Sequence, residues 1–209
     1  KRYAEKMIVA NIDTDDWAQE LHGCFDHIIF GDVLEHLRDP RLAVEKALKF
    51  LSPLGSVLAS VPNVGHNAIL LDLLKGRFVY NDYGLLDNTH IHFFTRESLS
   101  EMFSSLGLYA VASADNIVRP CLTELNVHYA KHPLFSFCLV GRKDGHVYQF
   151  VNEWMILPPA AQTAQNGARC SSRLSPLRAL YELCYDFVHL LFLQLPPSMQ
   201  VRLKARFLS

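Results

Sequence analysis

Residues 25–40, FDHIIFGDVLEHLRDP, join an apolar, β-branched run to a glycine corner and the start of a helix. The run at residues 25–33 ends at polar residues and is typical of a buried strand. Pro40, at a first helical position, predicts a helix that continues to Leu51 with an apolar stripe on one side. Strand, corner and helix together predict one unit of a layered α/β fold.

Similar signals lie on both sides of this stretch. Further strands are predicted at residues 7–12, 56–61, 108–112 and 135–140, and further helices at residues 67–75 and 95–107. Strands that alternate with helices predict a largely parallel sheet flanked by helices. Because ligands of such sheets bind beyond the carboxyl ends of the strands, we expect a site in the loops after Ile12, Val33 and Val61.

The composition indicates a packed globular chain without a general attraction for polyanions. Half of the 209 residues are hydrophobic, a fifth are charged, and the net charge is -1. No nucleic-acid partner is therefore expected. The five cysteines are odd in number and include no Cys-x-x-Cys pair, which favours a reducing, cytoplasmic compartment. Core packing is the expected role of Cys138 and Cys184.

A change of composition at Pro158 predicts the domain organisation. Residues 1–157 are expected to form the main domain, residues 158–172 a linker rich in small and polar residues, and residues 173–209 a helical extension. Charges interrupt the apolar face of the extension, so a transmembrane span is not expected. The extension could dock on the main domain or on a second subunit, or could lie on a membrane surface as a peripheral contact.

Asp32, Glu35 and His36 are the first candidates for chemistry. At positions i, i+3 and i+4 they share one face of a helical turn. Two carboxylates and an imidazole suit a divalent cation that could hold and acidify a substrate hydroxyl. His36 could instead be a general base, because an imidazole can take up a proton near neutral pH. A purely structural capping network is the third interpretation.

Four stretches carry one shared pattern: FDHIIFGDVLEHLRDP at residues 25–40, LSPLGSVLASVPN at 51–63, LLDNTHIHFFTRESL at 85–99 and FSSLGL at 103–108. In order and spacing they resemble class I S-adenosylmethionine-dependent methyltransferases, particularly the branch with the ubiquinone-biosynthesis O-methyltransferases. The likeness spans about residues 3–143. It implies a Rossmann-like methyltransferase sheet, S-adenosylmethionine as cofactor, and methyl transfer to an oxygen of a small-molecule, sugar or lipid-linked acceptor.

The resemblance also implies cofactor contacts at the end of the first predicted strand, at Asn11 and Ile12. Family members often carry an Asp here, which accepts a hydrogen bond from the adenine amino group. The carbonyl oxygen of an Asn side chain can accept the same bond. Two alternatives stay open, namely that Asn11 only caps the loop, and that Asp13 is the equivalent residue.

The corner formed by Gly31, Asp32 and Val33 is the second implied cofactor contact. It corresponds to the part of the family's site that lies beside the methionine portion of the cofactor. A glycine at Gly31 would let the ligand approach the backbone closely.

His90 occupies the Thr-His position of the family's lid segment, which implies that it faces the substrate. His36 and His90 are therefore the candidate catalytic pair. His90 and His92 can face the same side of an extended segment, a spacing that also occurs in metal sites. A merely packed histidine is the alternative for His90.

Two family features have no counterpart in this sequence: the glycine-rich loop after the first strand and the acidic residue that ends the second. We therefore expect the chain to be the carboxyl portion of a methyltransferase, and residues 1–209 alone to bind the cofactor weakly or not at all. The alternative is a catalytically silent binding or interaction module on the same scaffold. Oligomer formation is compatible with both.

Overall fold

The structure is a computed structural model that describes residues 6–131, 133–156, 184–187 and 194. The chain divides into two compact units. The first takes the described residues within Lys1–Val64, Tyr80–Ile117 and Val147–Arg169, and the second those within Gly65–Val79, Val118–His146 and Cys170–Ser209. The predicted linker at 158–172 lies outside the described residues, as does the predicted extension at 173–209 apart from residues 184–187 and 194.

The first unit is built on a mixed sheet. Its strands are β1 (Phe25–Gly31), β2 (Leu51–Pro62), β3 (Leu108–Ser113), β4 (Asn116–Ile117) and β5 (Val147–Ile156), in the order β1-β2-β5-β3 with β4 paired to β5. β1 and β2 are parallel, whereas β5 runs antiparallel to its neighbours. Sheet and helices confirm the predicted α/β class, and β5 is the departure from the largely parallel sheet that was expected.

Two helices of this unit begin where their capping residues predict. α1 (Pro40–Leu48) has Pro40 in its first turn, and the Asp39 carboxylate accepts a hydrogen bond from the Leu42 N–H. The second of these helices is α3 (Arg96–Ser105), whereas α2 (Asn67–Leu73) and α4 (Pro133–Val140) belong to the second unit. At the start of α3, Thr95 and Ser98 form a reciprocal capping box.

The core of the first unit joins both helices to the sheet. Its buried apolar residues come from β1, α1, β2, α3 and β5. At its centre the Phe103 ring of α3 stacks on Trp154 of β5, with centroids 4.3 Å apart and planes 6° from parallel. Both side chains are at most 2% exposed, so burial of large apolar area holds α3 on the sheet.

Residues 7–12, predicted as a strand, form none. Met7 and Val9 are exposed, while Ile8 and Ala10 line an apolar groove of about 390 Å³ beside β1. A strand depends on a hydrogen-bonded ladder, and no described strand pairs with this segment. β1, predicted as a buried strand, is largely exposed. Within the described sheet it pairs with β2 alone, because residues 7–12 form no strand beside it.

Residues 135–140, predicted as a strand, belong to α4. The run is apolar without polar alternation, so its pattern does not distinguish a short buried strand from a helix. The predicted core packing of Cys138 and Cys184 is also wrong, because both residues are exposed.

The sequence prediction lacks β5 altogether. Phe150, Asn152 and Trp154 are buried on alternate positions, which is the period of a strand. The sequence does not show this alternation, because the buried positions include the polar Asn152 and the half-buried positions include the apolar Val151 and Met155. The strand forms because β2 and β3 each offer it an edge.

The second unit packs α2 against α4 and two short 3-10 turns, Pro120–Leu122 and Tyr129–Lys131. Its core contains a polar network around Asn67. The Asn67 amide donates to the Tyr129 hydroxyl at 2.7 Å and to the Leu139 carbonyl at 2.8 Å, and Arg142 donates to its oxygen at 3.0 Å. Among the described residues, no helix is both long enough and apolar enough to cross a bilayer.

Candidate functional site

The corner after β1 is held by Asp32, whose backbone has a positive φ of 53°. Asp tolerates this left-handed conformation better than most residues do. The Asp32 N–H donates to the Ser60 hydroxyl at 3.0 Å, and that hydroxyl donates to an Asp32 carboxylate oxygen at 3.0 Å. The side-chain amide of Gln149 donates to the same oxygen. The bonds fix the direction in which the chain enters the next turn, Leu34–His36.

Glu35 is a buried carboxyl group at the centre of this turn. It is 1% exposed, and neither of its carboxylate oxygens has a hydrogen-bond partner among the described residues. Burial raises the pKa of Glu35 to about 7, and the negative charge of Asp32 contributes to that rise. The carboxyl group can therefore release or take up a proton near neutral pH.

The two ring nitrogens of His36 differ: Nδ1 is hydrogen-bonded to Thr89, and Nε2 is the nitrogen that can take part in proton transfer. Its Nδ1 lies 3.2 Å from the Thr89 carbonyl oxygen and 3.1 Å from the Thr89 hydroxyl. A carbonyl oxygen only accepts, so Nδ1 carries the proton and Nε2 of the neutral ring keeps a lone pair. The Thr89 hydroxyl donates to Asp87 at 2.6 Å. The hydrogen bonds from Thr89, first from its hydroxyl, lower the pKa of Asp87.

His90 lies against His36 although the two belong to different parts of the chain. The ring centroids are 4.9 Å apart with an interplanar angle of 63°. His90 is 7% exposed, and its Nδ1 has no hydrogen-bond partner among the described residues. Burial lowers the pKa of His90, and the neighbouring His36 lowers it further. Burial therefore favours the neutral form of His90.

Glu35, His36 and His90 form what we call the acid–histidine cluster, with one ligand atom from each residue within 4.8 Å of the others. Two imidazoles and a carboxylate suit a divalent cation. The sequence proposed Asp32, Glu35 and His36 as the metal ligands; in the structure an Asp32 oxygen is engaged by Ser60 and Gln149. The cluster lines a cavity of about 350 Å³ together with Asp32, Pro62, Gly84, Asp87, Tyr148 and Gln149.

The candidate cofactor residues have different surroundings in the structure. Ile12 and Val33 line the apolar groove beside β1. A Cβ added at Gly31 would meet no atom within 4 Å, so the surface at the corner is open to close approach by a ligand. The Asn11 side-chain oxygen accepts a hydrogen bond from the Asp13 N–H at 3.0 Å, which is the contact of a loop-capping Asn.

His92 does not join His90. Its Nδ1 donates to the Leu37 carbonyl at 2.7 Å, which ties the lid segment to the turn that carries Glu35. The sequence analysis did not identify Ser60, Thr89 or Gln149. The Asp-x-Thr spacing at Asp87 is a turn signal that could have shown Thr89, whereas Gln149 depends on the position of β5.

A family model described as a methyltransferase domain matches residues 4–113. The comparison with curated proteins gives no match. One similar solved structure is the magnesium protoporphyrin IX methyltransferase of Synechocystis PCC 6803 with bound SAH, at a TM-score of 0.40 and 13% identity over 67% of this chain and 48% of that one. Another is the 1,6-didemethyltoxoflavin-N1-methyltransferase of Burkholderia thailandensis, at a TM-score of 0.38 and 14% identity over 68% and 48%.

A third is an O-methyltransferase from neocarzinostatin biosynthesis, solved with S-adenosylmethionine and a naphthoic acid, at a TM-score of 0.37 and 14% identity over 66% of this chain and 30% of that one. The chain thus spans about a third to a half of the length of these three proteins.

Proposed function

The chain belongs to the methyltransferase domain family, and from that premise we propose that it transfers a methyl group from S-adenosylmethionine to an oxygen of a small-molecule, sugar or lipid-linked acceptor. The observation that carries the proposal is the acid–histidine cluster. It gathers three groups able to exchange protons around one cavity at the end of β1. A hydroxyl acceptor must lose its proton during methyl transfer, and this cluster can take it.

S-adenosylmethionine, when bound, supplies an activated methyl group on a sulfonium. The corner at Gly31, Asp32 and Val33 suits it because the surface at Gly31 is open. Asn11 and Ile12 are the proposed contacts for its adenosine part, Ile12 as one wall of the apolar groove. The protein's task is then to align acceptor oxygen and methyl group and to exclude water.

We assign the general base to Nε2 of His36. The proton on Nδ1 is fixed by Thr89, so Nε2 can accept the hydroxyl proton of the acceptor. The positive charge that then forms on the ring lies near the Asp87 carboxylate, to which Thr89 is bonded. Burial keeps His90 neutral, so it adds no competing positive charge.

A divalent cation would be held by Glu35, His36 and His90. Asp32, which the sequence predicted as a ligand together with Glu35 and His36, lines the same cavity. The fit rests on the two buried Glu35 oxygens, which have no partner among the described residues. Such an ion would acidify a bound hydroxyl. It is the competing explanation for the cluster, and the experiment below separates the two.

The test is transfer of a labelled methyl group from S-adenosylmethionine to panels of phenols, glycosides and lipid-linked alcohols. We expect label on an oxygen, and a loss of at least about 100-fold with His36→Gln. His22→Gln, at an exposed histidine outside the cluster, is the control and should retain activity. Label on nitrogen, or full activity of His36→Gln, would contradict the proposal.

Two further measurements decide between the alternatives. Activity that survives a chelator supports His36 as the base, whereas activity that a chelator removes and a divalent cation restores supports the metal site. Titration of the protein with S-adenosylhomocysteine tests the silent-module alternative, which expects neither heat of binding nor transfer of label.

A further inference from the structure

The second unit contains another group of metal-ligating side chains, which the methyl transfer reaction does not use. Cys121 lies on the turn Pro120–Leu122, His128 directly precedes the turn Tyr129–Lys131, and Asp186 belongs to the helical residues 184–187. Their exposed fractions are 5%, 1% and 2%. One ligand atom from each lies within 4.8 Å of the others. Two neighbouring turns and a helical segment distant in sequence thus meet at one buried point.

Hydrogen bonds around the group turn its ligand atoms inward. Nε2 of His128 lies 3.1 Å from the side-chain oxygen of Asn126, so Nε2 carries a proton, and in the neutral ring Nδ1 has the lone pair. One Asp186 oxygen accepts from the Ala130 N–H at 3.0 Å. Its other oxygen, Oδ1, lies 3.3 Å from Nδ1 of His128, and the Cys121 thiol donates a hydrogen bond to the Asp186 carboxylate.

The distance between Nδ1 of His128 and Oδ1 of Asp186 is the one expected between two ligands of a tetrahedral metal ion. Nitrogen and oxygen ligands at about 2.0–2.1 Å from a tetrahedral ion lie about 3.3 Å apart. A lone pair and a carboxylate at this distance repel each other unless a positive charge, a proton or a metal ion, lies between them. The Cys121 sulfur beside them supplies a third ligand atom for a metal ion. A proton shared between His128 and Asp186 would not need this third group.

We propose that Cys121, His128 and Asp186 form a zinc site that joins residues 184–187 to the turns of the second unit. Thiolate, imidazole and carboxylate are the ligand set of zinc, whereas magnesium and calcium prefer oxygen ligands alone. A water molecule would complete the tetrahedron. Because the ion binds only the folded arrangement, it would stabilise the unit.

A nucleophilic Cys-His-Asp triad is the other chemistry these residues could suggest, and the geometry disfavours it. A reactive cysteine needs access and a stabilised thiolate. Cys121 is buried, and a thiolate there would face the negative charge of the Asp186 carboxylate. Zinc would replace the thiol proton directly, so it requires neither substrate access nor a free thiolate.

The experiment measures the zinc content of the 209-residue chain after purification and dialysis. We expect about one zinc per chain in the wild type and in Glu35→Gln, which disables the acid–histidine cluster. Cys121→Ser should lose the ion, whereas Cys24→Ser, at an exposed cysteine, should keep it. Zinc retained by Cys121→Ser, or lost with Glu35→Gln alone, would overturn the proposal.

Cobalt substitution keeps the test independent of whether Cys121→Ser folds. A cobalt ion bound to a cysteine thiolate gives a near-ultraviolet charge-transfer band that carboxylate and imidazole ligands do not produce. We expect this band in the wild type, in Glu35→Gln and in Cys24→Ser. A wild-type protein that contains no zinc and gives no such band with cobalt would refute the site.

Discussion

The imidazole rings of His36 and His90 meet edge to face, with centroids 4.9 Å apart, although His36 follows β1 and His90 lies on the segment before α3. Each ring has one nitrogen available toward the cavity, and Glu35 is buried beside them. Two adjacent imidazoles do not both take up a proton easily, because the charges repel. Burial lowers the pKa of His90, and the neighbouring His36 lowers it further.

The stability of the first unit should depend on the protonation of Glu35. Its pKa rises from 4.5 to about 7 on folding, so the folded state holds this proton more tightly than the unfolded state. The resulting stabilisation is fully present below about pH 4.5 and is lost as the pH rises through about 7. Glu35→Gln should remove this loss and be more stable than the wild type at pH 8 by about 3 kcal/mol.

Urea unfolding at pH 4.5 and pH 8, with a chelator present, measures this difference. Glu45→Gln is the control, because Glu45 is half exposed in a surface pair with Arg41. An equal pH dependence of the wild type and Glu35→Gln would show that the Glu35 carboxyl is solvated.

Thr89 should act as a positioning residue for His36. Thr89→Val removes the hydroxyl that links Asp87 to His36, and we expect kcat/KM to fall about tenfold, which corresponds to one lost hydrogen bond of about 1.4 kcal/mol. Thr89→Ser keeps the hydroxyl and should restore activity. The assay uses whichever acceptor the wild type methylates. Full activity of Thr89→Val, or a loss in Thr89→Ser as large as that in Thr89→Val, would contradict this role of the hydroxyl.

Trp154 should be the main anchor of α3 on the sheet. Trp154→Ala removes the ring that stacks on Phe103 inside the core, so we expect a loss of about 3–5 kcal/mol in the free energy of unfolding. Trp17→Ala is the matched control, because Trp17 is only partly buried. Chemical denaturation followed by circular dichroism measures both. Equal losses for the two variants would contradict the packing described for β5.

Gly145 should tolerate no side chain. A Cβ at this position would overlap the amide group of Asn67, whose hydrogen bonds organise the second unit. Gly145→Ala should therefore cost about 2 kcal/mol. At Gly141 a Cβ would meet no atom within 4 Å, so Gly141→Ala should be nearly neutral when both variants are compared by thermal unfolding. A stable Gly145→Ala protein would mean that Asn67 can move aside.

The local features of the fold were predictable because the atoms that decide them lie within one turn of chain. The caps of α1 and α3 follow from Asp39 and from Thr95 with Ser98, and β1 and β2 from short β-branched runs. The turn after β1 likewise brings Glu35 and His36 together by their spacing alone.

Long-range packing decided the rest. An apolar run such as residues 135–140 suits a strand or a helix equally, and its neighbours in the second unit select the helix. β5 forms because two strand edges receive it, whereas residues 7–12 pair with none of the described strands although the groove that they line lies beside β1.

The sites show the same division. The spacing of Asp32, Glu35 and His36 suggested a metal set, but the partners of Asp32 depend on where β2 and β5 lie. The meeting of Cys121 with His128 and Asp186 likewise has no local signal. Spacing along a sequence fixes which side chains can share a turn; only the packing of distant segments fixes which ones share a buried, partly unsolvated point, where burial gives them their chemistry.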